Sequence, residues 1–345
     1  MQIYTRWFPQ KLIGRFSRLY RGKFWNHSHE MVLEVATDSE LLMNYFRMYQ
    51  QEAEPTASPR GKLCYLLEDK RTQDWNRPPE SYYETLVNRK RFAIGGICHY
   101  GHFKSMAAGI GSFLMSSSKR QGIHSAGFSL GDRGILLLGG ASSGKTTLLL
   151  QLMPYLESII SDDWCDVIVR DAELAAVSEE NNMSLNLNDL PELIRTGKIP
   201  PAFAKLPTIP HGWRDKIVFP LQDLCGQKKR SGIKIHDICI LGNFPVPQIL
   251  ESVSERELYW YISSVSGHCP FCYPNVEILK NVLRDIPDPE SKKIVLKAVR
   301  NRLAFCSRVK DWLADQRGRI ILLPNYQTSH DPTLNFTFLM EKTHV

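Results

Sequence analysis

The sequence has no long hydrophobic run, and this absence limits the kinds of protein it can encode. No apolar stretch approaches the roughly 18 uncharged residues that a membrane-spanning helix needs, so no span is expected. There is also no repeat of fixed period and no low-complexity tract, which excludes solenoids and propellers. An apolar signal-peptide core is missing too, because basic residues recur between Arg6 and Lys23. We therefore expect a cytoplasmic protein.

Paired cysteine motifs are scarce. The eight cysteines are scattered, and only Cys269 and Cys272 form a C-x-x-C motif. No second such motif completes a four-ligand zinc site, and the flanking prolines favour a loop over the helix start of a redox motif. A chain of 345 residues needs no disulfides for stability. This indicates a reducing compartment, with a metal or redox role of the pair as a minor alternative.

The excess of positive charge is modest. The net charge is +7, with both signs interleaved, and no element combines clustered basic and aromatic residues. Nucleic-acid binding is therefore not favoured.

Residues 1–29 carry six basic residues and no acid, with apolar residues at helical spacing. This pattern predicts a basic amphipathic helix, either packed on its own domain or acting as a membrane-surface or partner-binding arm.

Strand and helix patterns alternate along the chain, which predicts an α/β or α+β fold. We divide it into an N-terminal α+β region, 1–115, and a second domain, 116–345. The segment Pro200–Pro220 is predicted to be an extended loop, either reaching over a binding site or forming a surface connection. The predicted strands are Met31–Val35, Leu63–Leu67, Gly122–Leu130, Ile135–Leu138, Ser158–Ser161, Arg319–Leu323 and Leu334–Leu339, and the predicted helices are Leu41–Tyr49, Thr146–Met153 and Ser291–Asp315.

The most specific motif is a phosphate-binding loop of the pattern G-x-x-x-x-G-K-[ST]. A predicted strand precedes it and a predicted helix follows it, which is the context that the motif requires. Backbone N–H groups of the loop and the helix N-terminus favour phosphates, the lysine supplies charge, and the threonine hydroxyl can bind Mg²⁺. We therefore predict a site for ATP and Mg²⁺ formed by Gly139, Gly140, Ala141, Ser142, Ser143, Gly144, Lys145, Thr146 and Thr147.

The strand before the loop separates this chain from ordinary P-loop proteins. Gly122–Leu130 is joined to Ile135–Leu138 by only four residues, too few for a parallel crossover, so the two strands must be antiparallel. In ordinary P-loop GTPases and transport ATPases, the strand before the loop belongs to a parallel sheet. The chain also lacks the LSGGQ and N-K-x-D motifs of transport ATPases and GTPases.

Two adjacent carboxylates, Asp162 and Asp163, follow the predicted strand Ser158–Ser161. One carboxylate can bind Mg²⁺, and the other can take a proton from an attacking hydroxyl. The alternative is an ordinary turn after a strand. The sequence does not assign the two roles within the pair.

Together these residues resemble the catalytic domain of HPr kinase/phosphorylase, a bacterial protein-serine kinase whose nucleotide fold is related to phosphoenolpyruvate carboxykinase. His124, the phosphate-binding loop and Asp162-Asp163 follow one another at similar spacing, and the resemblance covers Gly122 to Val169. It implies in-line transfer of the γ-phosphoryl group of ATP to a serine hydroxyl, with an aspartate of the pair as base and Lys145 and Mg²⁺ on the phosphates. His124 is expected to hydrogen-bond a phosphate or a nearby carboxylate.

Two family features are absent here. Gly140 stands where the family has an acidic residue, and the family's glutamate-arginine-glycine signature does not follow the Asp pair. Candidates to replace the missing metal ligand are Glu173, Glu179 and Glu180. Candidates to replace the later basic residue are Arg214, Lys216 and Arg230.

The leading hypothesis is therefore an ATP-dependent kinase that phosphorylates a serine-type hydroxyl of a peptide, protein or small metabolite. Residues 116–345 are then the catalytic domain, where Pro200–Pro220 can reach over the nucleotide or the acceptor, and residues 1–115 are the recognition or accessory region. The alternative is a nucleotide-hydrolysing switch without a phosphoryl acceptor. A homo-oligomer is compatible with either function.

Overall fold

The fold is described from a computed structural model of the 345-residue chain. The structure describes residues 20–26, 30–37, 39–67, 91–96, 100–140, 142–171, 173–206, 208–210, 215–265, 284, 289–315, 318–326, 331 and 333–343. Ala141, Arg214, Cys269 and Cys272 lie outside these ranges. Within them, no helix has the length and apolar character to cross a membrane.

The N-terminal part of the chain forms a four-stranded sheet in sequence order. Its first pair of strands is antiparallel and the other two pairs are parallel. Helix α1 (Glu40–Tyr49) follows the second strand and helix α2 (Tyr100–Met115) follows the fourth. The strands are β1 (Tyr20–Trp25), β2 (Val32–Thr37), β3 (Gly61–Leu67) and β4 (Arg91–Gly96).

The predicted basic helix over residues 1–29 is wrong where the structure describes it, because residues 20–25 form β1. Its aromatic residues suit a strand that pairs with β2, and Phe24 packs edge-on against Phe46 of α1, with 4.6 Å between ring centroids. Residues 1–19 and 27–29 lie outside the described part of the chain.

A six-stranded mixed sheet, here called the main sheet, has the order β16-β17-β15-β7-β6-β8. Strands β7, β15 and β17 are parallel, and β6 is antiparallel to both β7 and β8. The predicted hairpin before the phosphate-binding loop is confirmed by the β6–β7 pairing. The strands are β6 (Ser125–Leu130), β7 (Arg133–Gly139), β8 (Leu156–Ser161), β15 (Asp237–Gly242), β16 (Gln248–Leu250) and β17 (Arg319–Pro324).

Two smaller sheets accompany the main sheet. The seam sheet, named for its junction with the main sheet at His124, is antiparallel and has the order β14-β10-β9-β5. A third sheet has the order β11-β13-β12. The strands are β5 (Arg120–Ile123), β9 (Cys165–Arg170), β10 (Glu173–Val177), β11 (Asn182–Asn186), β12 (Thr208–Pro210), β13 (Asp215–Pro220) and β14 (Gly232–Lys234).

The predicted single strand Gly122–Leu130 is wrong in one respect, because it bends at His124 and divides into β5 and β6. The predicted loop Pro200–Pro220 is also more ordered than expected. It contains a short 3₁₀ helix (Pro201–Lys205), β12 and β13. Phe203 of that helix packs on Phe219 of β13 at 4.6 Å between ring centroids, so apolar packing replaces an open surface loop.

The remaining helices include one where we predicted a strand. Residues 334–339 belong to a helix whose buried positions Asn335, Leu339 and Thr343 follow helical spacing. Asp331 accepts the N–H of Thr333 just before it, a helix-start signal that the alternating apolar pattern obscured. The helices are α3 (Lys145–Leu152), α4 (Leu190–Arg195), α5 (Leu221–Cys225), α6 (Glu255–Val265), α7 (Pro289–Ala314) and α8 (Leu334–Thr343).

The main sheet is buried on both faces, as expected for parallel strands. One face, which includes Leu137 and Ile321, packs with α3, α8 and the third sheet. The other face, which includes Leu138 and Ile320, packs with the seam sheet, α6 and α7. The architecture is therefore mixed α/β, whereas the division of the chain at residue 115 stays a prediction.

Candidate functional site

The predicted site residues meet at one edge of the main sheet. Strands β7 and β8 both run antiparallel to β6, so they end at the edge where β6 begins. The predicted phosphate-binding loop, residues 139–147, begins at the end of β7, Asp162 and Asp163 follow β8, and His124 precedes β6. The strand order thus brings together residues that are up to 39 positions apart in the chain.

The same edge is the seam between two sheets. At His124 the chain passes from β5 in the seam sheet to β6 in the main sheet, and at residues 162–164 it passes from β8 to β9. The two crossings lie side by side, since the Ser125 N–H donates to the Asp163 carbonyl at 3.0 Å. The rings of His124 and Trp164 also stack, with 6.2 Å between their centroids.

The phosphate-binding loop requires glycine at two positions. Gly144 has a φ of 100°, and a Cβ there would lie 2.2 Å from the ring of Tyr326. A Cβ on Gly139 would lie 2.3 Å from the hydroxyl of Ser143. That hydroxyl is buried and has no hydrogen-bond partner in the described part of the chain. Ser142 and Thr147 are exposed.

Lys145 opens α3 and is buried inside the loop. Its Nζ donates to the carbonyls of Gly139 at 2.7 Å and Gly140 at 3.3 Å. Burial lowers the pKa of Lys145 to about 8, although the charges of Asp163 and Asp162 oppose this shift. The ammonium group is therefore held between loop carbonyls and carboxylates.

Asp162 faces the phosphate-binding loop. It is 3% exposed, and its Oδ1 accepts the hydroxyl of Thr146 at 3.0 Å. Burial and the negative charges of Asp163 and Glu180 raise the pKa of Asp162 to about 7.

Asp163 makes its side-chain contacts with residues of the seam and of α2. His124 Nε2 lies 2.7 Å from its Oδ1, and Lys104 Nζ donates to its Oδ2 at 3.1 Å. Burial alone raises the pKa of Asp163, but Lys104 and His124 outweigh that effect and hold this pKa well below its usual value. The two aspartates, equivalent in the sequence, are thus in different environments.

Two further charged residues complete the cluster. Glu180 was one of three candidates in the sequence, and its Oε1 lies 2.9 Å from Lys104 Nζ. Its Oε2 accepts the Ser161 hydroxyl at 2.5 Å and the N–H groups of Asp163 and Trp164 at 3.1 and 3.2 Å. No motif marked Lys104, because it lies in an uninterrupted helix in the predicted N-terminal region.

The other candidates lie elsewhere or contribute indirectly. Glu173 is exposed on β10 and pairs with Lys234. Glu179 raises the pKa of Lys229, while burial lowers it overall. Arg230 donates to the carbonyls of Gln227 and Lys229 in its own loop. The candidate basic residues thus include one, Lys216, that is near enough to Lys145 to lower its pKa.

The described residues contain no group of three or more His, Cys, Asp and Glu side chains arranged to hold a metal ion. The residues that sequence analysis proposed as metal ligands are divided between two environments, with Thr146 and Asp162 in direct contact and Asp163 turned toward His124.

Comparisons with known proteins find no match by sequence and distant matches among solved structures. No protein-family model matches the chain, and no curated protein matches its sequence. Among solved structures, the chain is similar to the HPr(Ser) kinase/phosphatase from Coxiella burnetii, with 12% sequence identity and a TM-score of 0.31. The match covers 64% of this chain and 90% of the other. At this TM-score the two structures are only distantly alike.

Proposed function

We propose that this protein is an ATP-dependent phosphotransferase that transfers the γ-phosphoryl group to a serine-type hydroxyl of a peptide, protein or small metabolite. The observation that carries the proposal is the division of the Asp pair beside the phosphate-binding loop. Asp162 contacts Thr146 of the loop, whereas Asp163 contacts His124 and Lys104 and lies near enough to Lys145 to affect its pKa. A kinase needs both positions, one for a metal and one for the acceptor hydroxyl.

The loop fits a nucleoside triphosphate. Lys145 Nζ donates to loop carbonyls, and Ser143 has a buried hydroxyl without a partner in the described part of the chain. Phosphate oxygens would satisfy both groups, together with the N–H groups that a helix leaves unpaired in its first turn. Thr146 and Asp162 would hold Mg²⁺, which supplies positive charge on the transferred phosphates when bound.

Asp163 fits the role of general base. Its side chain is 32% exposed, so an acceptor can reach it, whereas the side chain of His124 is 11% exposed. In the transfer, the acceptor oxygen bonds to the γ-phosphorus, the bond from that phosphorus to the β-phosphate bridging oxygen breaks, and the hydroxyl proton passes to Asp163. His124 keeps the carboxylate oriented.

Transfer of label from γ-labelled ATP tests this function. The purified protein and Mg²⁺ are incubated with serine, serine-containing peptide pools and metabolite pools, and labelled products are separated from inorganic phosphate. We expect label on an organic acceptor, with Asp163→Asn reducing transfer at least about 100-fold while ATP still binds. Glu157→Gln, an exposed carboxylate on β8, is the matched control.

Release of inorganic phosphate alone would instead support the nucleotide-hydrolysing switch. Full transfer activity in Asp163→Asn would remove the proposed base. Transfer that does not depend on ATP binding at Lys145 would place the reaction elsewhere in the molecule.

A further inference from the structure

Lys104 is the residue that connects the N-terminal part of the chain to the candidate site. It lies on α2, and its Nζ donates to Asp163 Oδ2 at 3.1 Å and to Glu180 Oε1 at 2.9 Å. Its side chain is only 15% exposed, and that of Glu180 is 3% exposed. One ammonium group therefore bridges two carboxylates from separate loops of the site.

The position of Lys104 is fixed by packing of its helix. Two turns along α2, Ser112 accepts the indole N–H of Trp164, the residue after Asp163, at 2.9 Å. Gly122 of β5 allows this approach, since a Cβ there would lie 1.8 Å from the Ser112 hydroxyl oxygen. The helix also packs on β2 and β3 of the N-terminal sheet. Helix α2 is therefore fixed by Trp164 and by the N-terminal sheet, and these contacts fix the position of Lys104.

Glu180 organises the turn that carries the proposed base. It accepts the backbone N–H groups of Asp163 and Trp164 and the hydroxyl of Ser161. A buried carboxylate in this position needs a positive partner, because an unpaired buried charge is strongly unfavourable. Without Lys104, Glu180 and Asp163 would also repel each other, and Asp163 would lose one of its two side-chain contacts.

We propose that Lys104 is a positioning residue for phosphoryl transfer: by bridging Glu180 and Asp163, it keeps the carboxylate of Asp163 aimed at the acceptor hydroxyl. This inference rests on the proposed function. It implies that α2, although N-terminal to the predicted boundary, completes the catalytic site. Acceptor recognition is then not the only role of the N-terminal region.

The test compares kcat and the KM for ATP in Lys104→Met and Lys104→Arg, with Lys119→Met as the control. Lys119 is an exposed lysine outside the site. We expect Lys104→Met to lower kcat roughly 10- to 100-fold with the KM for ATP changed less than about 3-fold, because misplacing a catalytic group reduces rate while the phosphate-binding loop stays intact. Lys104→Arg should recover most of kcat, since it retains the charge and can bridge both carboxylates.

A double variant separates positioning from a general loss of stability. In Lys104→Met/Glu180→Gln the unpaired buried charge is removed, so the protein should fold even if Lys104→Met does not. If Lys104 acts through Glu180 and Asp163, the combined loss in kcat is at least about 5-fold smaller than the product of the single losses. Multiplicative losses would overturn the inference.

The remaining outcomes are distinct. If wild-type protein transfers phosphate and a folded Lys104→Met variant has wild-type kcat, the inference fails while the proposed function stands. A raised KM for ATP with unchanged kcat would reassign Lys104 to nucleotide binding and also overturn it. If wild-type protein transfers no phosphate to any acceptor, the proposed function fails and this inference fails with it.

Discussion

Buried aspartates at the two edges of the main sheet differ in their hydrogen-bond partners and in the charges around them. At the edge where the parallel strands begin, Asp237 is fully buried and accepts two hydrogen bonds each from Arg133 and Arg319, at 2.7 to 3.0 Å. At the edge where they end, Asp162 is almost as buried, and among the described residues it accepts the hydroxyl of Thr146.

The pKa shifts follow these environments. Burial raises the pKa of Asp237, but Arg133 and Arg319 outweigh burial and lower it overall. For Asp162, burial dominates and raises the pKa to about 7. Asp237, paired with two guanidinium groups, stabilises the fold, whereas the nearby positive charges of Lys104 and Lys145 do not offset the burial of Asp162. This difference is consistent with a structural role for Asp237 and with the catalytic role that we propose for the edge containing Asp162.

The comparison predicts its largest effect at Lys145. Lys145→Met should reduce ATP turnover at least about 1,000-fold, because it removes the charge on the transferred phosphates. The free energy of unfolding should stay the same or rise, since a buried ammonium group is replaced by an apolar side chain. Steady-state kinetics and urea unfolding measure the two effects, with Lys119→Met as control. Substantial turnover in Lys145→Met would remove the chemical role of this edge.

Asp237→Asn should show the reverse behaviour. Removing the carboxylate leaves two arginines facing a neutral amide and should lower the free energy of unfolding by about 3 kcal/mol. ATP turnover per folded molecule should not change. Urea unfolding together with kinetics below the transition checks both points, and a loss of turnover without a loss of stability would break the comparison.

Asp162→Asn should change how stability depends on pH. The folded-state pKa of about 7 lies above the unfolded value of 3.8, so the folded protein binds one more proton between these pH values. Stability conferred by this group is therefore present below pH 4 and is lost as pH rises toward 7, by about 1.4 kcal/mol per pH unit.

The asparagine variant lacks this titration. Unfolding free energies are measured without nucleotide or Mg²⁺ from pH 4 to 7. The difference between the variant and wild type should increase with pH in favour of the variant, by about 1.4 kcal/mol per pH unit. Parallel curves for the two proteins would show that Asp162 is ionised throughout this range.

The smallest effect is expected at Gly144. Gly144→Ala should lower the free energy of unfolding by about 1 to 3 kcal/mol, because alanine is strained at this φ and its Cβ would contact Tyr326. Gly197→Ala is the matched control, since Gly197 has a φ of 68° with nothing within 4 Å of a Cβ. Equal losses in the two variants would show that the Tyr326 contact contributes little.

Local signals made part of the site predictable. The turn Gly131-Asp132-Arg133-Gly134 is too short for anything but a hairpin, and that hairpin and the strand before Asp162 place the loop, His124 and the Asp pair at one edge. Long periodic elements such as α7 were also predictable.

Long-range contacts were not. Lys104 contacts Asp163 across 59 residues and Glu180 across 76, and no local pattern marks Lys104 as part of the site. The separation of Asp162 from Asp163 depends on the chain crossing between two sheets at the seam, which a strand pattern does not reveal. The segment at 334–339 was misassigned because its alternating Leu334, Phe336 and Phe338 fit a strand, whereas its packing on α3 uses helical spacing.

A crystal structure of the protein with Mg²⁺ and a non-hydrolysable ATP analogue tests the central claim most directly. We predict the γ-phosphate beside Lys145 Nζ, with Mg²⁺ bound by the Thr146 hydroxyl and the Asp162 carboxylate. We also predict that Asp163 remains on His124 and Lys104, facing the open side of the γ-phosphate. A nucleotide bound away from residues 139–147, or a Mg²⁺ ion held by Asp163 instead of Asp162, would contradict this account.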